Sequence, residues 1–295
     1  ARIICTWPEP AITMPGMVIA GSGHVQMILA SQLASFEPRA MSWLYYADRL
    51  FQLPVGFVAS AIGVVLLPRV ARALNRGDRE AMAAAQSESL VFASLLILPA
   101  TVALFVLAEP MTAILFQRGA FVAADAQATA RLLQMLALAL PAFVLIKVIL
   151  PSFLANEEMR IPLIAVAIGL AANLATGFAA RDVDRLVAPA AGVVCGVWVN
   201  ALVLALAARG RMAIRNRAYL RALAALVAAA GMGFCVHAMA EAALHWLDPA
   251  RPFFEKGGML GLICLVGLVI YALMARLLGA FTFSDLGQLS SRARG

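Results

Sequence analysis

The sequence predicts an all-α membrane protein of about eight transmembrane helices. Three observations predict this. Hydrophobic residues make up 63% of its 295 residues, charged residues only 13%, and the mean hydropathy is +0.89. Uncharged stretches recur at about 20 residues, the length a helix needs to cross a hydrocarbon core at 1.5 Å per residue. The links between the stretches alternate between arginine-rich and mixed in charge. No water-soluble fold could bury so large an apolar share.

In order, the stretches run over 11–35, 50–68, 89–108, 132–155, 161–180, 186–208, 222–246 and 257–279. The first carries Gly16, Gly21, Gly23, His24 and Gln26, and the fourth carries Lys147. Both are too polar to face lipid all round, so they are expected to face protein or a wet cavity. The last is interrupted only by Arg276 near its end. Prolines 54, 99, 141 and 189 fall inside stretches, where they are expected to free carbonyls and bend helices.

Lys and Arg remain preferentially on the cytoplasmic side of a membrane, which orients the spans. Arg69, Arg72, Arg76 and Arg79 follow the second span. Arg209, Arg211, Arg215, Arg217 and Arg221 follow the sixth, and Arg292 and Arg294 lie in the tail. These segments read as cytoplasmic. The opposite links, with Glu37 and Arg39, with Arg181, Asp182, Asp184 and Arg185, and with Asp248, Arg251, Glu255 and Lys256, are mixed in sign and read as exported. Both ends of the chain are thereby expected on the cytoplasmic side of the membrane.

Charge confined to one side of the membrane accounts for the net +7, so no nucleic-acid partner is expected. Cys5, Cys195, Cys235 and Cys264 have no metal-ligand spacing, and three of them lie in apolar spans. His237 and Glu241 are four apart on one helical face but lack a third ligand, so no metal is expected. There is no G-x-S-x-G and no phosphate-binding lysine loop, which argues against a serine hydrolase or an ATP-driven pump. No cofactor is expected. The opening ARIICTWPEP has neither an initiator Met nor a signal-peptide pattern, so the chain is expected to begin inside a longer protein, with residues 1–10 unassigned.

Charge inside a bilayer costs about 2.5–3.5 kcal/mol at mid-span, so ionisable groups at span edges are the candidates for function. Tyr45, Tyr46, Asp48 and Arg49 open the second span. Asp48 and Arg49 stand about 100° apart on a helix, so one can enter a cavity while the other anchors locally. The motif reads equally as an interfacial anchor or as a substrate contact. Lys147, between Pro141 and Pro151, is either a snorkelling cation or a second contact. Asn173, Thr176 and Asn200 could bind an ion or, more commonly, link helices. Glycines 231, 233, 257, 258, 261 and 267 permit close packing or a lipid-holding groove.

Three ordered blocks carry a resemblance. The first is Ser42-Trp43-Leu44-Tyr45-Tyr46-Ala47-Asp48-Arg49-Leu50, continuing through Gln52-Leu53-Pro54 to Leu66-Leu67-Pro68-Arg69. The second is Ile114-Leu115-Phe116-Gln117-Arg118-Gly119-Ala120-Phe121 with Ala124-Asp125-Ala126. The third is Lys147-Val148, Pro151-Ser152-Phe153 and Glu157-Glu158-Met159-Arg160-Ile161-Pro162. Together they resemble the MurJ (MviN) lipid II flippases of the multidrug/oligosaccharidyl-lipid/polysaccharide exporter superfamily. The resemblance runs from about Met14 to the end and matches the second half of a fourteen-span family member.

The resemblance implies a transporter, not an enzyme, that moves undecaprenyl-pyrophosphate-linked peptidoglycan precursor (lipid II) to the outer leaflet. It implies a C-terminal lobe of six spans over 11–208 and two additional helices over 209–295 that form a groove for the polyprenyl tail. Arg49 takes the place of a cavity arginine that engages pyrophosphate, with Asp48 as its acidic neighbour. Lys147 and Asn173 are lesser candidates for the same site. Expected partners are lipid II, membrane lipids and the missing N-terminal lobe, without which no flipping is expected. Some family members bind sodium through two acids and an Asn. Here Asn173 fits the Asn, but Ala30 and Gly177 fall at the acid positions, so no sodium site is expected. The alternatives are an exporter of another polyprenyl-linked glycan or of drugs with the same fold, and a multi-span transferase using His237, Glu241 and His245.

Overall fold

A computed structural model describes residues 10–75, 79–154, 158–209, 216–243 and 252–280. The expectations for residues 1–9, Arg76, Arg211, Arg215, His245, Asp248, Arg251, Arg292 and Arg294 lie outside these residues, as do the side chains of Arg69 and Arg72. Every element described is a helix: α1 (Pro10–Ala34), α2 (Ala40–Asn75), α3 (Arg79–Val106), α4 (Ala108–Phe116), α5 (Ala123–Ala137), α6 (Leu140–Leu154), α7 (Arg160–Ala180), α8 (Ala188–Ala207), α9 (Asn216–Ala242) and α10 (Phe253–Leu277). The chain is an all-α membrane protein. Six spans among the described residues are long and apolar enough to cross a bilayer: 83–106, 123–154, 160–180, 188–207, 216–242 and 254–277. With α1 and α2 they follow the eight stretches read from the sequence.

Two details of the span pattern differ from expectation. Helix α4 lies between the third and fourth spans, and the fourth span is two helices. α5 ends at Ala137, and α6 begins only at Leu140. The carbonyl of Leu138, freed at this break, accepts a hydrogen bond from Trp198 Nε1 on α8 at 2.9 Å. An apolar environment supplies no water for such a carbonyl, so the indole takes water's place. The prolines also divide into two kinds. Pro54 and Pro99 lie well inside α2 and α3, but Pro141 and Pro189 occupy the first turns of α6 and α8. In a first turn the missing N–H has no intrahelical partner to lose, so these two start helices and do not bend them.

Two apolar cores hold the bundle. One joins α1 to α8, with Leu44, Phe51, Ile97, Leu133, Leu140, Ile149, Phe153 and Leu204 buried in it. The other joins α9 and α10 to α3 and α4 through Leu107, Ala228, Met232, Ile263 and Tyr271. The outside is equally apolar. Phe57, Phe234, Phe254 and Leu277 are each more than three-quarters exposed, and Leu262, Leu265, Leu268 and Leu273 run exposed along α10. Helices that are hydrophobic on both the buried and the open face need acyl chains around them.

The tightest pair is α7 with α8, and glycine makes it possible. A methyl on Gly169 would lie 2.7 Å from the Gly196 carbonyl oxygen, and one on Gly196 would lie 2.6 Å from that of Gly169. Backbones that approach this closely gain van der Waals contact that lipid tails cannot match, which is how helices associate where no hydrophobic effect acts between them.

Candidate functional site

Helix α2 presents one unpartnered face. Met41, Tyr45, Arg49, Gln52, Leu53, Gly56, Phe57 and Ser60 are all exposed, at the spacing of a single helical stripe, while Leu44, Ala47, Leu50, Phe51 and Val58 on the other side enter the core. The stripe mixes a cation, amides, hydroxyls and aromatic rings, whereas the lipid-facing side of α10 is aliphatic.

Arg49 lies on this stripe with its guanidinium 4.5 Å from the centroid of the Tyr45 ring. Among the described residues no carboxylate lies within ion-pair distance of it. Asp48 is half-buried and accepts a hydrogen bond from Gln52 Nε2, one turn on. Asp48 also lines a recess of about 120 Å³ between α1 and α2, with Met27, Ser31, Met41, Leu44 and Tyr45. The two neighbours divide as the 100° separation requires: Asp48 enters the hollow and Arg49 stacks locally while keeping its charge unspent.

Tyr46, on the adjacent face, fixes the start of α2. Its ring lies 4.7 Å from Phe116 and 5.3 Å from Phe121, centroid to centroid. Beside this aromatic box, Asp125 is 4% exposed and collects three donors. These are Trp43 Nε1 at 2.9 Å, the Val122 backbone N–H at 2.9 Å and Arg39 Nη1 at 3.2 Å. Val122 and Asp125 are the N-cap and third residue of α5, so the carboxylate also caps that helix. Arg39 takes a left-handed φ of 66°, a strained conformation for a residue with a side chain, and its guanidinium reaches Asp125 across 86 residues.

The same end of the bundle holds Arg185 to Glu37 at 3.5 Å, Arg131 to Asp184 at 2.5 Å, and Arg181 over the ring of Phe36 at 4.3 Å. The first two links read from the sequence as mixed in sign are therefore tied to one another. Asp125→Ala removes the acceptor shared by Trp43 and Val122, and it is expected to shift Trp43 emission to longer wavelength and speed amide exchange at residues 35–43. Asp125→Asn should keep part of the Trp43 bond and fall between.

Lys147 is half-buried on α6 with no hydrogen bond or ion pair among the described residues. It lies one turn beyond Phe143, whose ring meets Phe51 of α2 at 5.5 Å, so α6 brings Lys147 alongside α2. Asn173 lies elsewhere. It is fully buried between α1, α7 and α8, and its Nδ2 donates to the Gln26 backbone oxygen at 3.1 Å and to Gln26 Oε1 at 2.5 Å. The Gln26 amide fits the notch left by Gly169 and Gly196, and Asn200 is buried beside it. This is an interhelical clasp, the commoner use of such amides.

Sequence reading marked Gln26 as polar without finding its partner, and it passed over Arg39, Trp43 and Asp125 as a junction. The available signal was Asp125 three residues after Val122 at a helix start. A second buried amide, Gln86, donates to Ser152 Oγ at 2.5 Å and went unremarked. Among the described residues, no three metal-ligating side chains cluster.

This architecture has known counterparts. The family profile described as lipid II flippase MurJ matches residues 11–251. The chain belongs to the MurJ lipid II flippase family. The probable lipid II flippase MurJ of Rhizobium tropici is 34% identical over 282 residues, which are 94% of this chain and 52% of that protein. Its counterpart in Rhizobium meliloti (strain 1021) is 32% identical over 92% of this chain and 51% of its own length. A solved lipid II flippase MurJ in an inward closed conformation superposes with a TM-score of 0.72 at 19% identity, over 92% of this chain and 54% of that one. At that identity the superposition speaks for the fold. The chain spans about half the length of the curated MurJ relatives it matches. The MurJ family is one of transporters, and this member is a multi-pass membrane protein.

Proposed function

We propose that this chain forms the C-terminal half of a lipid II flippase and carries lipid-linked peptidoglycan precursor across the bacterial inner membrane together with an N-terminal lobe. The observation that carries the reading is Arg49, a cation with no carboxylate in ion-pair distance among the described residues, on an open helical face inside a family of lipid II flippases. A guanidinium on a face that a second lobe would screen from water binds pyrophosphate through paired, charge-assisted hydrogen bonds. Tyr45 orients it from one side. Asp48, directed into the adjoining recess and bonded to Gln52, lies outside ion-pair distance of the guanidinium, and its negative charge limits anion binding to the Arg49 side. Lys147 supplies a second positive charge from α6. Asn173 takes the supporting role of holding α1 against α7.

In this reading residues 11–208 are the six-span lobe, and 209–295 contribute a helical pair that shelters the polyprenyl tail. The arginine-rich links and both termini lie in the cytoplasm, and the junction of Arg39 with Asp125 lies on the exported side. Alternating access requires two lobes about one site, so the chain alone is inactive.

The test joins the chain to a matching N-terminal half in cells depleted of their own flippase. Growth and lipid II translocation are expected from the pair and from neither half. A pair that assembles in the membrane yet moves no lipid II overturns the reading.

A further inference from the structure

The last two helices are held to the bundle at a specific weak point of α3. In an α-helix the carbonyl of residue i accepts from the N–H of residue i+4. For Leu95 that donor would come from residue 99, which is proline and has no N–H, so the Leu95 oxygen is left without its helical partner. Tyr271, on α10, fills the place: its hydroxyl donates to the Leu95 oxygen at 2.9 Å, across 176 residues. Tyr271 is only 6% exposed, so its hydroxyl has little other company, and the ring lies in the core that joins α9 and α10 to α3. Packing makes the approach possible. Gly233 of α9 lies against Val102 of α3, leaving no room for a methyl, and Gly231 lies against the end of the Met274 side chain of α10.

We propose that Tyr271 is a positioning residue that hooks the α9–α10 pair onto α3 at the carbonyl freed by Pro99, so that the local backbone of α3 and the seating of the pair are one coupled element. In lipid neither group has water to fall back on, so each depends on the other. If α3 closed a regular turn at residue 95 the tyrosine would lose its purpose, and if the pair moved away the Leu95 oxygen would be orphaned. The inference concerns attachment and requires nothing of the transported lipid.

A mutant cycle on the full chain in nanodiscs tests it, with the four native cysteines replaced by alanine. Cysteine in place of Ala275, 2% exposed in the same core and near the end of α10, reports opening through its rate of labelling by a membrane-permeant maleimide. Tyr271→Phe removes one oxygen and is expected to raise the labelling rate about fivefold with Pro99 present, the effect of one hydrogen bond. Pro99→Ala returns an N–H to the Leu95 carbonyl, and in that background Tyr271→Phe is expected to change the rate less than about twofold. Pro99→Leu supplies the same N–H should the alanine variant fail to accumulate. An equal effect of Tyr271→Phe in both backgrounds, or no effect beside Pro99, overturns the proposal.

Discussion

Arg49→Ala, in an assembly that otherwise supports growth, is expected to abolish lipid II translocation while leaving membrane abundance and melting temperature unchanged. The stability half follows from the structure, because the guanidinium is exposed, stacks on a tyrosine that is itself half exposed, and has no carboxylate partner among the described residues. The transport half follows from chemistry. Truncating one partner of a desolvated charge pair costs about 3 kcal/mol, on the order of a hundredfold in binding or rate. Arg49→Lys retains charge but loses the planar fork and the stacking, so it should fall between wild type and alanine. Translocation measured in vesicles, with growth rescue beside it, checks both variants. Undiminished transport by the alanine variant would remove Arg49 from the site, and a large loss of folding would reassign it as structural.

Gly196→Ala is expected to produce the largest loss of stability. The added methyl would meet the Gly169 carbonyl oxygen at 2.6 Å, Gln26 Oε1 at 2.6 Å and Asn173 Cβ at 2.9 Å. All three belong to backbone or to the buried clasp, so relief demands that α7 and α8 separate and the Gln26 to Asn173 bond break. Overpacking with no flexible neighbour to yield costs about 3 kcal/mol, which lowers the melting temperature by roughly 5–10 °C. Gly261→Ala provides the control, since nothing lies within 4 Å of a methyl there. It should melt as wild type or slightly above, alanine being the better helix former. Circular dichroism melts in detergent distinguish the pair, and equal melting of the two variants would contradict the packing described.

The fold was legible wherever one physical constraint dominates. Twenty apolar residues in a row can do little else but span a membrane, so the eight stretches found their helices. What escaped was set by tertiary contact. The break at Leu138 is prepared by Pro141, which has no N–H to offer the Ala137 carbonyl, but the Trp198 that caps it lies 60 residues away. Pro141 and Pro189 looked like interruptions because the span boundaries were drawn from hydropathy, which is blind to where a helix begins. The site was partly legible. An Asp and an Arg side by side at a span edge announced themselves by cost, and their divergence followed from helical geometry. Arg39 with Asp125 did not, because 86 residues separate them and exposed loop charges are ordinary.

The two apolar cores meet along α3 and the short α4, and this has a consequence for how such a protein could change length. In water, removing α9 and α10 would bare a greasy flank and the remainder would aggregate. Here acyl chains would close over Val102 and Val106, so no apolar flank would meet water, and the cost would be the closer packing that helices gain over lipid. Among the described hydrogen bonds, the oxygen of Leu95 would lose its partner. Appending or discarding a terminal helical pair is thus a smaller change in a bilayer than in water, and lineages can trim or extend such proteins without rebuilding what stays behind.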